Sequence, residues 1–292
     1  MKKILILGGS GFLGFYLINY LKKKNILYVN LNKKKISKKK NVFPVKLNLK
    51  NNKSFKRFIK KNEIKLIINL ISLTDIEKCE NFKQKAKLVN STYIKNIVDS
   101  ISTDHDIYLV HISTDHIFDG KFKKKYSESS PTRPLNYYGN SKLLAEKFVN
   151  KHKKSLIIRT NFFGKSYTNK KSFSDNVIIN LKNKNKIYLW DDVYISPMHV
   201  INLVKSIVIL IDDQCTGIIN ISSEKISKYN LGIKIAKYLN LDTKLINKNS
   251  FNQKKFIIRP KNMALDNKKI IKLYPKYKSM FTLKSQIKLL NK

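Results

Sequence analysis

Short apolar runs alternate along the first half of the chain with longer stretches in which apolar positions recur every three to four residues. Residues 2–7 form such a run and end in Gly8-Gly9-Ser10-Gly11-Phe12-Leu13-Gly14; residues 15–21 then carry apolar side chains at helical spacing. That order predicts strand, tight turn and helix. Further apolar runs lie at 26–31, 42–47, 66–71, 107–112 and 156–158, separated by helix-length segments such as 54–61, 86–100 and 141–152. Strands that alternate with helices predict an α/β fold, a doubly wound parallel sheet with both faces covered. Beyond about Thr160 the pattern loosens. It predicts a helix around 176–182, a strand at 187–190, a helix at 200–211, a strand at 218–221 and a helix at 228–239.

Composition excludes several classes. The chain has 292 residues, 42% of them hydrophobic, with 15 Phe and 15 Tyr, enough to bury a core rather than stay disordered. A net charge of +41 invites a nucleic-acid reading. Only four of the 60 basic residues are Arg, however, and the Lys are spread along the whole chain beside Asn. This is a compositional bias that coats every solvated face, including the runs at 22–24, 33–35, 38–40 and 123–125. A nonspecific, salt-sensitive attraction to polyanions is expected, but no specific nucleic-acid partner. No apolar run approaches the roughly 18 residues needed to span a bilayer, and no signal-peptide pattern opens the chain, so a cytoplasmic protein without a membrane partner is expected. Cys79 and Cys215 are too few and too distant for a disulfide framework or a CxxC site, and the five His lack ligand spacing; reduced thiols and no bound metal are expected.

Four of the nine glycines fall within Gly8 to Gly14. Gly9-x-Gly11-x-x-Gly14 matches the dinucleotide fingerprint, and Gly8-x-x-Gly11-x-x-Gly14 the spacing of short-chain dehydrogenases. In either register the missing side chains permit a tight turn and bring backbone against a pyrophosphate at a helix N-terminus. Gly8, Gly11, Phe12, Leu13 and Gly14 are therefore candidate cofactor-binding residues. An acidic residue about 20 positions on usually holds the adenosine ribose; here Val29-Asn30-Leu31-Asn32-Lys33 offers no carboxylate. Asn30 is the candidate at that place, and a neutral or basic site leans toward NADP, with NAD left open. The expected organisation is a Rossmann NAD(P)-binding domain over 1–160 and a smaller substrate-binding subdomain over 161–292, partly interleaved with the sheet and closing over the substrate.

Tyr138 and Lys142 stand four residues apart, a spacing that puts phenol and ammonium on one helical face. Spacing alone decides nothing, because Tyr20/Lys24, Tyr167/Lys171 and Tyr274/Lys278 share it. Only Tyr138 follows a strand ending in a hydroxyl-rich turn, Val110-His111-Ile112-Ser113-Thr114-Asp115. Ligands of parallel α/β sheets sit at the carboxyl ends of strands, where Thr114 is expected, so hydroxyl, phenol and ammonium are expected to meet.

The stretches Ser113-Thr114-Asp115-His116-Ile117-Phe118-Asp119-Gly120, Tyr126-Ser127-Glu128, Pro134 and Tyr137-Tyr138-Gly139-Asn140-Ser141-Lys142-Leu143-Leu144-Ala145-Glu146 closely resemble the extended short-chain dehydrogenase/reductase family. Within it they resemble the dTDP-4-dehydrorhamnose reductase group. Ile68-Asn69, Thr74-Asp75, Glu80, Val89-Asn90, Arg159-Thr160, Asp191-Asp192, Ser196-Pro197, Gly217-Ile218, Arg259-Pro260 and Leu265-Asp266 look like landmarks of the same group. The resemblance implies an NAD(P)H-dependent reductase of a nucleotide-linked 4-keto sugar, in surface polysaccharide synthesis. It makes Thr114, Tyr138 and Lys142 the catalytic residues. Tyr138 would protonate the carbonyl oxygen, Lys142 would bind the nicotinamide ribose and favour the phenolate through its charge, and Thr114 would orient the carbonyl. Asp115, Phe162 and Arg259 would contact the nucleotide-sugar substrate; a homodimer is left open.

Two readings compete with this one. A regulatory subunit of methionine adenosyltransferase resembles the same group and binds without turnover; a nucleotide-sugar epimerase would oxidise and re-reduce its substrate. Dehydration is disfavoured, because sugar-nucleotide 4,6-dehydratases place a Glu after the Asp, where this chain has His116. On the substrate side the group's Arg-Thr-Ser-Trp reads Arg159-Thr160-Asn161-Phe162, and its Asp-Gln-Phe-Gly-Ser-Pro-Thr reads Asp192-Val193-Tyr194-Ile195-Ser196-Pro197-Met198. These changes alter the hydrogen-bonding groups that select a sugar. Arg159 and Arg259 stand out because Arg is scarce and grips a diphosphate bidentately, with structural ion pairing as the alternative for each.

Overall fold

The computed structural model describes residues 1–30, 40–252 and 257–291. The expected end of the second strand at Leu31, the neighbouring Asn32 and Lys33, and most of the lysine runs at 33–35 and 38–40 lie outside the described residues.

Strands β1 (Lys2–Leu7), β2 (Asn25–Asn30), β3 (Val42–Val45), β4 (Leu66–Asn69), β5 (Tyr108–Thr114) and β6 (Ser155–Thr160) follow the predicted apolar runs, with helices α1 (Phe12–Leu21), α2 (Asn52–Lys61), α3 (Ile76–Asn81), α4 (Lys83–Lys87), α5 (Tyr93–Ile101) and α6 (Tyr137–Val149) between them. The later elements are β7 (Phe162–Phe163), α7 (Phe173–Lys182), β8 (Ile187–Trp190), β9 (Tyr194–Ile195), β10 (Met198–His199), α8 (Val200–Asp212), β11 (Gly217–Ile221), β12 (Ile226–Ser227), α9 (Lys228–Tyr238), β13 (Ile246–Asn249), α10 (Lys268–Leu273) and α11 (Leu283–Ile287). Seven strands form a sheet in the order β11-β6-β5-β4-β1-β2-β3. The pairs β1·β2, β1·β4, β2·β3 and β4·β5 are all parallel. The chain winds outward from β1 to β3, then returns to the other side of β1 with β4. That reversal makes a switch point at the carboxyl ends of β1 and β4, directly after which the glycine turn occurs.

The chain divides into two compact units. The first comprises Met1–Ser113, Tyr137–Ile158 and Ile207–Ile218; the second comprises Thr114–Asn136, Arg159–Ser206 and the chain from Ile219 onward. In the first unit, alternation along β1 sends Leu5 and Leu7 into a cluster with Phe55 and Ile59 of α2 and Ile94, Ile97, Val98 and Ile101 of α5. Burying each such side chain contributes about 1.5–3 kcal/mol. Asn51 caps α2, its side chain accepting from the Ser54 N–H at 3.0 Å. The helix expected over 86–100 is interrupted: Leu88–Thr92 is a π turn between α4 and α5. The helix expected from 141 begins four residues earlier, where Glu80 accepts from the Tyr137 N–H at 2.9 Å.

The second unit has its own core, in which Val177 and Leu181 of α7 and Leu231, Ile235 and Ala236 of α9 join Val193, Ile195 and Ile246. Its small sheets are β8·β13, parallel, and β9·β12, antiparallel. Among the described residues, no helix is long and apolar enough to cross a membrane.

Candidate active site

The glycine turn belongs to the first unit. Gly8 has φ +80°, a left-handed conformation that disfavours other residues, and a Cβ there would lie 2.9 Å from the Ile71 nitrogen. A Cβ on Gly14 would meet the Gly9 carbonyl oxygen at 2.5 Å, so helix and turn can approach only without a side chain. Gly11 differs. It is the N-cap of α1 with ordinary backbone angles, and the one close atom to a Cβ there is the Gly8 oxygen at 3.3 Å. The protein's own packing therefore leaves space at Gly11, whose N–H donates to the Gly8 carbonyl at 3.1 Å. A helix N-terminus reached through such a glycine turn fits a pyrophosphate. Asn30, at the end of β2, is buried, and its side-chain oxygen accepts from the Leu47 N–H at 3.0 Å. At least part of its work is to tie down the chain after β3.

Tyr138 and Lys142 lie one turn apart on α6, both buried, in the same unit as the glycine turn. Lys142 Nζ donates to the Ile112 carbonyl at 2.7 Å and stands 3.2 Å from His111 Nε2. Burial lowers the Lys142 pKa to about 8, against the attraction of Glu146. Burial and Lys142 together hold the His111 pKa well below the usual imidazole range. Ser113 donates to Glu146 at 2.5 Å. Asn90, in the π turn, accepts from the Leu73 N–H (2.7 Å) and the Ser72 hydroxyl (3.2 Å), and donates to the Leu73 carbonyl (3.1 Å) and to Ser141 Oγ (2.9 Å). π turns recur at functional sites.

Thr114, Asp115, Phe162 and Arg259 belong to the second unit. Thr114 Oγ1 accepts from the His116 N–H at 3.2 Å and donates to Asp115 Oδ1 at 3.1 Å. Asp115 Oδ2 accepts from Asn161 Nδ2 at 2.9 Å, so one departure from the group's pattern supplies an amide that grips the carboxylate. Burial raises the Asp115 pKa to about 6, opposed by these hydrogen bonds and by Lys228. His116 is half-buried, and desolvation together with Lys228 and Arg259 lowers its pKa to about 3, so it stays uncharged. Phe162 is half-buried on β7. Arg259 lies over the Trp190 ring at 5.7 Å, with Lys228 at 4.6 Å from the same ring. Arg159 is buried over Phe118 (5.5 Å) and donates to the Glu128 carbonyl at 3.0 Å, a structural post. Asp119 accepts from the Tyr126 hydroxyl at 2.9 Å and the Lys121 N–H at 3.0 Å, closing its own loop.

Sequence reasoning did not single out His111, Lys228 or Trp190 as site residues. For His111 a signal existed, an imidazole inside the otherwise apolar strand run that ends at Thr114; for Lys228 none did, since Lys is the background of this chain.

A spore coat polysaccharide biosynthesis protein SpsK of Bacillus subtilis (strain 168) is 28% identical over 251 residues, 84% of this chain and 82% of that protein. The crystal structure of a hypothetical dTDP-4-dehydrorhamnose reductase from Sulfolobus tokodaii superposes with a TM-score of 0.84 at 33% identity, covering 97% of each chain. A dTDP-4-dehydrorhamnose reductase of Bacillus anthracis str. Ames, solved in complex with NADP, superposes with a TM-score of 0.78 at 26% identity, over 94% of this chain and 93% of that one. The RmlD substrate binding domain family matches residues 1–286, and on that near-complete match the chain belongs to this family of sugar-nucleotide reductase-like proteins, within the extended short-chain dehydrogenase/reductases.

Proposed function

We propose that the chain is an NAD(P)H-dependent reductase of a nucleotide-linked 4-keto sugar, serving surface polysaccharide synthesis. The observation that carries this reading is the Tyr138–Lys142 pair on one turn of α6, with Lys142 hydrogen-bonded to β5, in the same unit as the glycine turn. The NADP found in the Bacillus anthracis relative supports the cofactor class.

Bound NAD(P)H would supply the hydride that reduces the ketone carbon. Phe12, Leu13 and Gly14 would offer backbone N–H groups to its pyrophosphate at the start of α1, Gly8 and Gly11 would shape the turn that brings it there, with the Gly11 N–H held by the Gly8 carbonyl at 3.1 Å, and Asn30 would flank its adenosine ribose. Tyr138 gives its phenolic proton to the carbonyl oxygen as negative charge builds there. Lys142 presents its N–H groups on the same helical face; with its pKa at about 8 it changes charge near working pH and can answer the phenolate that Tyr138 becomes. Thr114 takes the carbonyl-orienting role and Asp115 and Phe162 the sugar, while Arg259 grips the diphosphate.

The test is consumption of NADPH by purified protein across a set of nucleotide-linked 4-keto sugars, beginning with dTDP-4-dehydrorhamnose. One NADPH oxidised per ketone reduced, with turnover falling at least about 10²-fold in Tyr138→Phe while NADPH binding persists, supports the reading. NADPH binding without turnover of any keto sugar would place the chain with the noncatalytic binding modules. Interconversion of sugars without net NADPH loss would make it an epimerase.

A further inference from the structure

The second unit carries an open groove lined by none of the residues proposed for catalysis or for substrate. Helix α9 buries Leu231, Ile235 and Ala236 in the core it shares with Leu283 and Ile287 of α11. A different face of α9, with Ile233, Lys234 and Lys237, is left to the groove. Lys284 of α11 and Lys288 just beyond it also line the groove, and β12 adds Ile226. Ile226, Leu283 and Ile287 are buried and Ile233 is half-buried, whereas all four Lys are exposed, so the groove has an apolar floor and a basic rim on each helix. Tyr238 ties the two helices together, donating to the Lys288 carbonyl at 3.2 Å. The volume of 1230 Å³ exceeds the roughly 300–1,000 Å³ of small-ligand pockets. It equals about two to three turns of an α-helix about 10–12 Å across.

We propose that this groove docks an acidic amphipathic helix of a partner protein. Its apolar side chains, at i, i+3 or i+4 and i+7, rest on Ile226, Ile233, Leu283 and Ile287, and its flanking carboxylates meet Lys234, Lys237, Lys284 and Lys288.

Charge complementarity selects this occupant. Lys is common throughout the chain, so charge alone marks no site; the mark here is an apolar floor between two basic rims. Among the described residues, none of the four rim ammoniums has an ion-pair partner. The one carboxylate in the lining, Glu224, already accepts from the Leu283 N–H at 2.7 Å, and Lys225 is spent on the Tyr194 ring and the Lys123 carbonyl. A second copy of the chain fits poorly. It carries the same net charge of +41, and among the described residues no helix has more than two acidic side chains to offer. A bilayer is flat and meets the lysines before it reaches the floor.

The probe is a synthetic peptide of about 18 residues, long enough to form a helix, with Leu at i, i+3, i+4 and i+7 and Glu at the flanking positions. It is titrated against the full chain by fluorescence anisotropy beside a scrambled peptide of the same composition, in about 0.3 M salt to screen long-range attraction. The amphipathic peptide is expected to bind at least about tenfold more tightly than the scrambled one and to gain helix on binding. Charge reversal on both rims, Lys234→Glu with Lys284→Glu, is expected to weaken it by at least about tenfold. The same charge change on α4, Lys85→Glu with Lys87→Glu, should leave affinity within about twofold of the parent. All four side chains are exposed, so both variants should fold, which thermal unfolding checks. Equal binding of the two peptides, or an equal loss in the two variants, overturns the proposal, because only net charge would then be at work. Peptides bound alike, with phosphatidylglycerol vesicles bound by the parent and released by the rim variant, would give the groove to a membrane. A dimer in sedimentation that the rim variant dissolves would give it to a second copy, and either result also overturns the proposal. No readout uses cofactor or ketone, so failure here is separate from failure of the reductase reading.

Discussion

Asn90 Nδ2 donates to Ser141 Oγ across 2.9 Å, joining the π turn to α6 at the residue beside Lys142. Three further hydrogen bonds hold the Asn90 amide to Ser72 and to both backbone groups of Leu73, so the chain after β4 and the helix carrying Tyr138 and Lys142 are braced by one side chain. Asn90→Leu keeps the volume and leaves the Leu73 N–H and C=O without that partner. The Leu73 C=O keeps the Cys79 thiol at 3.2 Å, so one orphaned N–H, at about 1–3 kcal/mol, sets the expected loss. Urea unfolding measures it; Ser141→Ala, which removes the Asn90 bond and the bond from Ser141 Oγ to the Tyr138 carbonyl at 2.8 Å, should cost about 1–3 kcal/mol.

The glycines of the turn should separate by function. Gly14→Ala drives a methyl to within 2.5 Å of the Gly9 oxygen and should lower the melting temperature and cofactor binding together. Gly11→Ala meets the Gly8 oxygen at 3.3 Å, so its melting temperature should stay close to that of the parent. A methyl in the place of a pyrophosphate should nonetheless weaken NADPH binding, by about tenfold or more. Fluorescence titration with NADPH beside thermal unfolding distinguishes the two. Equal binding by Gly11→Ala and the parent protein would remove the pyrophosphate from that site.

Local pattern made much of this fold readable before any coordinates. The runs at 2–7 and 187–190 coincide with β1 and β8, because a short apolar run bounded by turns reads as a strand both where it is buried, as in most of β1, and where it is half-exposed, as in β8. The helix around Lys142 was placed four residues late, since Tyr137 and Tyr138 carry no capping signal of their own; the cap is Glu80, 57 residues away. The π turn was hidden for the same reason, being held by contacts from Asn90 to Leu73 and Ser141 rather than by its own residues. The apolar run at 218–221 revealed a strand, but not that β11 would join the edge of the seven-stranded sheet, because sheet order is a property of topology rather than of local sequence. At the candidate site, the strand and hydroxyl-rich turn upstream, rather than spacing, singled out Tyr138 and Lys142. Local pattern could not show that His111 and Asn69 are adjacent, which only the register of β4 with β5 reveals.

Asp115 should make stability fall as pH rises. Burial raises its native pKa to about 6 from 3.8, so its protonated form is favoured in the folded chain. The stabilisation it gives is complete below the unfolded value and is lost as pH climbs through about 6. A shift of about two units corresponds to about 3 kcal/mol. Asp115→Asn cannot ionise, so its unfolding free energy relative to the parent protein should improve between pH 4 and pH 7.5. Urea midpoints at the two pH values check this, and a constant difference would show that Asp115 ionises freely.

Lys228 and Arg259 share the Trp190 ring, at 4.6 and 5.7 Å, and the Lys228 pKa falls to about 8, first through burial and then through repulsion by Arg259. Asp115 offsets part of this repulsion. A diphosphate gripped by Arg259, as the proposed function has it, would add negative charge beside Lys228 and raise its pKa again. A group whose pKa rises on binding takes up protons wherever the pH lies above its free value, so binding at pH 8.5 should draw protons from the buffer. Calorimetric titration with a nucleoside diphosphate, repeated in buffers of different ionisation enthalpy, reads that uptake directly. Up to one proton per site is expected in the parent protein and none in Lys228→Met, while Arg259→Leu should weaken binding by about tenfold or more, the worth of a charge-assisted hydrogen bond. Uptake that persists in Lys228→Met, or an affinity indifferent to Arg259, would put the diphosphate elsewhere.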